Sequence, residues 1–243
     1  EQVEDQYFAG ITGLGPEVTP IERFYVVDEA IDDPRVDVAR WKLTVRGHVE
    51  KPLSLSYEQV RALPAVDQFA TLLCISYELG QDLISNAKWR GVRLADLLKD
   101  AGVKPGATHV ILRSVDNFDE AFPIAEAMKS HTLLAYGMND VLLPVNHGAP
   151  LRALIPGLYG FKNVKWLTDI EVTTAGHEGY WGRNAGWSRD GYLQGAMSRI
   201  DTVDAPPVKV GGMAKVAGIA YAGFKGISKI EVSDDGGQTW QPA

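Results

Sequence analysis

HGAPLRALIPGLYGFKNVKW, His147 to Trp166, sets a histidine, an arginine and two lysines among apolar residues, broken by three glycines and two prolines. PLRALIPG reads as one strand, and VKWLTDIEVTT beyond it as another. Between them Gly157 and Gly160 would let the backbone come close to a ligand. From Asp140 to Asp169 there is no intervening carboxylate, although the chain as a whole carries a formal charge of −7. The net negative charge argues against a general nucleic-acid binder, which needs clustered Lys and Arg. The locally positive segment could hold an anion, although each of its charges taken alone reads as part of a solvated face.

Working outward, RFYVVDEA and WKLTVRGHV read as strands, and LSLSYEQVRALP as a strand followed by a short helix. In that helix Ser56 caps the start, Glu58 sits in the first turn and Pro64 stops it. FATLLCIS reads as a buried strand. KWRGVRLADLLKDAGV reads as a turn followed by an amphipathic helix with Val92, Leu94, Leu97 and Leu98 inward and Gly102 at its end. THVILRSVD is a further strand, FPIAEAMKS a short helix, and TLLAYGMN an extended piece ending in a turn. The layout is α+β, with a mixed sheet and short helices. Residues 1–20 form an acidic arm, 21–204 the main domain and 205–243 an all-β tail, in which DDGG supplies the positive φ angles of a tight turn.

A chain of 243 residues, 45% of them hydrophobic, is long enough for one substantial core. Its single cysteine, Cys74, excludes an internal disulfide. No apolar run is long enough to cross a membrane as a helix. The chain starts at Glu1, so a missing leader carries no weight. Taken alone, a cysteine in the run LLCIS is more often a small core hydrophobe than a ligand.

The order of residues changes that. Cys74 in LLCIS, then SNAKWRGVRLADLL, then LAYGMND with LLPVNHGAPLRALIPG and YGFKNVKWLTDIEV, resembles the oxidoreductase molybdopterin-binding domain of the sulfite oxidase family. The likeness runs from Arg23 to about Thr174. It implies the family's mixed-sheet α+β fold, and makes the tail look like the start of an immunoglobulin-like β module. It also implies a molybdenum cofactor, a pyranopterin whose dithiolene holds the metal, with Cys74 as the protein thiolate. A soft thiolate suits such a metal. By the same likeness His147, Arg152, Lys165 and Lys162 anchor the cofactor, with Gly160 at close approach. Phe24 and Tyr25 lie beside the pterin, Arg23 could reach an anion there, and Ser76, Ser85, Asn86 and Trp89 help shape the pocket.

The pattern departs from sulfite oxidases in the residues that would bind an oxyanion. Val27 and Leu79 stand where the family has arginines, and Gly186, or a position beside it, where it has a tyrosine. Arg183 could restore one charge. GYWGRNAGW, with Tyr180, Trp181 and Trp187, reads either as an aromatic wall over the metal or as a connector whose tryptophans dock as plugs. Arg183 and Trp187 join Cys74 as candidate catalytic residues. The resemblance implies an oxidoreductase transferring an oxygen atom to or from a small substrate other than sulfite. Without a CxxCH motif, its electrons go to or come from a separate carrier, a cytochrome or a membrane haem protein. A relative that has lost its cofactor and serves as a binding module is the rival reading, and a homodimer through the β tail is compatible with both. By analogy with bacterial members the expected location is extracytoplasmic, with a membrane anchor preceding the arm, and a cytoplasmic location is the alternative.

Overall fold

The computed structural model describes residues 11–30, 32–78, 81–187, 194–202, 209, 211–212 and 215–243. They divide into two compact units, Val18–Gln194 and Gly195–Ala243 with the chain's beginning up to Glu17.

In the larger unit β1 (Lys42–Gly47) alternates exposed and buried side chains, turning Leu43 and Val45 inward. It pairs antiparallel with β2 (Leu53–Ser56), whose last residue caps α1 (Tyr57–Ala62). The expected Ser56 cap is a full capping box: Ser56 Oγ accepts from Gln59 N, and Gln59 Oε1 accepts from Ser56 N. β3 (Ala65–Leu73) and β4 (Ile84–Arg93) form a long antiparallel ladder from Ala65 opposite Val92 to Leu73 opposite Ile84. α2 (Leu94–Ala101) then buries Leu94, Leu97, Leu98 and Ala101 and ends at Gly102, which takes the left-handed conformation at φ 68°.

β5 (His109–Ser114), β6 (Asp119–Pro123), α3 (Ile124–Ala127), β7 (Leu133–Met138), β8 (Val141–Leu142), β9 (Arg152–Leu154), β10 (Leu167–Thr173) and α4 (Tyr180–Ala185) complete the unit. One sheet has the order β2-β1-β10-β5-β6, with only β1 and β10 parallel; the other has β3-β4-β7-β8, and β9 pairs with β7. The main core lies between the sheets. It joins Leu43, Val45, Leu112 and Ile170 to Val92 and Leu134, with α2 packed in. The next residues along β7, Leu133 and Ala135, face the other way and join Trp89, Leu72 and Phe24 in a second cluster. Buried on both faces, β7 is apolar throughout.

Two readings from sequence need correction. KWRGVR is not a turn: it is the second half of β4, and Val92 is buried from the strand rather than from the helix. Gly91 is there because a Cβ would lie 2.2 Å from the Leu134 carbonyl oxygen, at a register shift between β4 and β7. RFYVVD is not a strand either. A 3-10 turn at Ile21–Arg23 leads into Phe24–Asp28, which joins no sheet: Phe24 N donates to the Pro20 carbonyl, and Tyr25 N to Ser85 Oγ at 3.2 Å.

The smaller unit contains two antiparallel ribbons, β11 (Met197–Ile200) with β12 (Gly218–Tyr221) and β13 (Glu231–Val232) with β14 (Gln241–Pro242). The loop carrying DDGG is wider than a tight turn. Gly236 and Gly237 do have positive φ, but the loop is organised by Asp235, which accepts from Ser233 Oγ, Gln238 N and Thr239 N. The expected boundary at Ala205 lies outside the described residues.

Candidate active site

Within the larger unit a cavity of about 340 Å³ opens between the Phe24–Glu29 segment, the end of β3, the turn before β9, and the stretch from Gly160 to Trp166. Cys74 lines it directly after β3, where its backbone N–H donates to the Leu83 carbonyl. Trp181 and Trp187 line it from α4 and just beyond.

Arg152 enters from the first position of β9 and is buried. Its two terminal nitrogens donate to the carbonyls of His147 and Asn163, both at 3.0 Å, and its guanidinium lies 5.2 Å from the centre of the Trp89 ring. Burial lowers its pKa to about 10, which leaves the group charged at neutral pH. Carbonyl dipoles hold this cation, and an anion in the cavity would complete its electrostatics. His147 is buried too, edge-on to Phe24, and burial followed by the Arg152 charge pushes its pKa down, so it is neutral at pH 7. Lys165 donates to the Asn146 carbonyl at 2.8 Å and sits over the Trp166 ring. Burial alone would bring its pKa to about 7; its ion pair with Asp28 acts in the opposite direction and favours the charged form.

Glycine makes the room. A Cβ on Gly160 would lie 2.5 Å from Tyr25 Oη and 3.6 Å from the Leu73 carbonyl oxygen, so the Gly160 turn runs close against the residue preceding Cys74. A Cβ on Gly148 would meet the Lys165 and Arg152 side chains at 2.9 and 3.1 Å. Both lie where the backbone must pass close to the residues that line the cavity.

Eleven of the residues singled out from sequence line this one cavity: Phe24, Tyr25, Val27, Cys74, Ser76, His147, Arg152, Gly160, Lys165, Trp181 and Trp187. Asn86, Lys162 and Arg183 do not. Asn86 is spent on β4, where its backbone pairs with Thr19 and its Oδ1 accepts from Thr71 Oγ1. Lys162 points into the protein, where its Nζ is 2.7 Å from Glu120 Oε2 in an ion pair with both side chains 1% exposed. Arg183 closes a fork on the Asp119 carboxylate, at 3.2 and 2.6 Å, so its charge is committed outside the cavity. Val27 does line the cavity, and Leu79 lies outside the described residues.

Sequence reasoning misses Asn163 and Phe161 among the residues that shape the walls. Asn163 organises the turn: its Oδ1 accepts from Ile155 N at 2.6 Å, its Nδ2 donates to the Tyr159 carbonyl, and its own carbonyl receives Arg152. The only local signal is an asparagine in a glycine-rich stretch. Trp181 and Trp187 stack at 4.6 Å with their planes 24° apart, and Phe161 packs on Trp187 at 5.1 Å. Trp181 and Trp187 of GYWGRNAGW thus line the cavity from α4 and just beyond it, the helix ending at Gly186 with φ 67°.

The family model described as an oxidoreductase molybdopterin-binding domain matches residues 30–181. The uncharacterized oxidoreductase YuiH of Bacillus subtilis is 37% identical over 148 residues, covering 61% of this chain and 73% of that one. The mitochondrial sulfite oxidase of Drosophila melanogaster is 30% identical, covering 93% of this chain and 46% of its own. Among solved structures, the sulfane dehydrogenase SoxCD of Paracoccus pantotrophus shares the fold, with a TM-score of 0.71 at 24% identity over 86% of this chain and 60% of its own. The chain thus spans less than half of the fly enzyme and less than two thirds of the SoxCD chain.

Proposed function

Because the chain belongs to the oxidoreductase molybdopterin-binding domain family and is a molybdenum-cofactor oxidoreductase, we propose that its cavity carries out oxygen-atom transfer on a small, neutral substrate. The observation that carries the reading is the convergence of Cys74 with Arg152, His147 and Lys165 on one cavity from distant parts of the sequence.

The residues present fit the cofactor. Arg152 is a desolvated cation with its fork held by carbonyls, Lys165 supplies a second positive group, and Gly148 and Gly160 leave space that any side chain would fill. These residues would hold the anionic and polar parts of the pterin, and Cys74 would give the metal its protein sulfur. When bound, the group supplies two-electron redox chemistry at the metal. The balance is substrate plus water giving oxidised substrate, two protons and two electrons, or the reverse for reduction of an oxide. The protein's part is to orient the substrate and exclude bulk water, and the stacked Trp181 and Trp187 suit both tasks.

The substrate follows from the character of the cavity wall. Val27 and the tryptophans offer no charge to an oxyanion, and Arg183 is tied to Asp119. Sulfite is therefore disfavoured, and a neutral substrate such as a sulfoxide, or its reduced counterpart, is the better fit. Electrons pass to or from a separate carrier protein. The smaller unit is read as the start of an immunoglobulin-like module, and the protein as working outside the cytoplasm.

The test is molybdenum and pterin content of protein made in a host that synthesises the cofactor, followed by turnover with reduced viologen and dimethyl sulfoxide and with ferricyanide and sulfite. Stoichiometric metal and pterin, with sulfoxide turnover exceeding sulfite turnover, is the expected result. A folded protein with neither metal nor pterin would sink the proposal.

A further inference from the structure

Asp119 and Glu120 are consecutive carboxylates on β6, both at least nine-tenths buried. They lie outside the cavity, yet both engage the segment that carries its aromatic wall. Asp119 accepts from His177 Nε2 at 2.5 Å and from the fork of Arg183. Glu120 divides its two oxygens: Oε2 takes Lys162 Nζ at 2.7 Å, and Oε1 takes the backbone N–H of Trp181 at 3.3 Å. Gly179 presses so close to Glu120 that a Cβ there would lie 2.3 Å from its Oε2. Alternation along a strand sends neighbouring side chains to opposite faces. β6 is the outermost strand of its sheet, and α4 packs on it. The His177–Arg183 segment therefore crosses the sheet edge and is gripped from both sides.

The electrostatics differ between the two. Burial pushes the Asp119 carboxyl up, but hydrogen bonds from Arg183 and His177 outweigh it and hold its pKa below the ordinary value. Burial raises the Glu120 pKa, with the Lys162 charge opposing. Lys162 belongs to the Gly160–Lys162 turn that lines the cavity, and Trp181 to its wall. One carboxylate thus bridges the floor and the wall.

The geometry points to Asp119, Glu120 and Arg183 as positioning residues that fix the Trp181–Trp187 wall against the Gly160 turn, and so set from outside the cavity how large a substrate it admits. Arg183, read from sequence as catalytic, acts here through Asp119. The inference rests on the reading of the cavity as a substrate site, and its first measurement is independent of that reading.

Two tryptophans stacked at 4.6 Å should give an exciton couplet in far-ultraviolet circular dichroism, which Trp187→Phe should abolish. Arg183 is partly exposed, so Arg183→Ala is expected to fold with unchanged pterin content and to lose the couplet. Arg183→Lys, which keeps the charge but not the fork, should recover part of it, and Asp119→Asn should behave like Arg183→Ala. Where Glu120→Gln alone fails to fold because the buried Lys162 charge loses its counter-charge, the double variant with Lys162→Met removes that buried charge and should show a weakened couplet. In loaded enzyme, Arg183→Ala should change the ratio of KM for methyl phenyl sulfoxide to KM for dimethyl sulfoxide, with kcat nearly unaltered. A wild-type couplet in both Arg183→Ala and Asp119→Asn would overturn the inference, as would an unchanged KM ratio or the absence of a couplet in the wild type. Were the oxygen-transfer reading wrong instead, no variant would turn over either sulfoxide while the couplet would still report the wall.

Discussion

Replacing Cys74 with serine changes one atom in a cavity whose other anchors remain in place. A hydroxyl is a poor ligand for a soft metal site, so Cys74→Ser is expected to abolish turnover while pterin content stays near wild type, measured as fluorescence of the oxidised pterin released on denaturation. Arg152→Met should act instead on retention of the cofactor itself. It leaves the His147 and Asn163 carbonyls without their donor, at a cost of about 1–3 kcal/mol for each buried group, and should lower both the melting temperature and the pterin retained. Full metal, pterin and turnover in both variants would remove the site assignment. Cys74, His147, Arg152 and Lys165 are legible in the sequence because their order and spacing belong to one pattern. Lys162 sits in the same pattern and is misplaced by it, because its partner Glu120 is 42 residues away and nothing local marks the pair. Charge in a sequence does not say which way a side chain turns.

At the scale of elements, the Gly160 turn makes a sharper prediction than any helix. Gly160 has no positive φ to explain it, so the glycine is there for space. Gly160→Ala should crowd Tyr25 Oη, lower cofactor content and cost roughly 1–3 kcal/mol of stability. Gly186→Ala is the control: its φ is 67° with nothing within 4 Å of a built Cβ, so it should cost roughly 1–2 kcal/mol for a side chain in the left-handed region and leave pterin content alone. Equal pterin loss in both would mean backbone strain rather than crowding. Elements with local punctuation are readable, as the Ser56 capping box and the Gly102 end of α2 illustrate. KWRGVR misleads because glycine marks both turns and close strand approaches, and only the Leu134 carbonyl opposite Gly91 distinguishes them. RFYVVD has strand composition, but its side chains supply packing: Phe24 contacts His147 and Trp89.

Among the described residues, those that line the cavity fall between Phe24 and Trp187, inside the unit Val18–Gln194, and that has consequences for the molecule as a whole. One concerns acid. The folded-state pKa of Asp119 is depressed, so its contribution to stability is in place above the ~3.9 of an unfolded aspartate and is lost as pH falls through the lower folded value. Glu120, raised in the fold, works with the opposite sign. Asp119→Asn should therefore melt lower than wild type near neutral pH and close that gap as the acid limb is descended, in a series of thermal melts. The other consequence concerns size. The described members of the core between the two sheets, of the second cluster around Trp89 and of both carboxylate grips on α4 all belong to Val18–Gln194. A chain shortened to Val18–Gln194 is expected to fold cooperatively and, made in a competent host, to retain molybdenum and pterin at the level of the longer chain. Loss of the pterin from a shortened protein that still melts cooperatively would show that the smaller unit contributes to the site, and the domain that binds the cofactor would then have to be drawn across both.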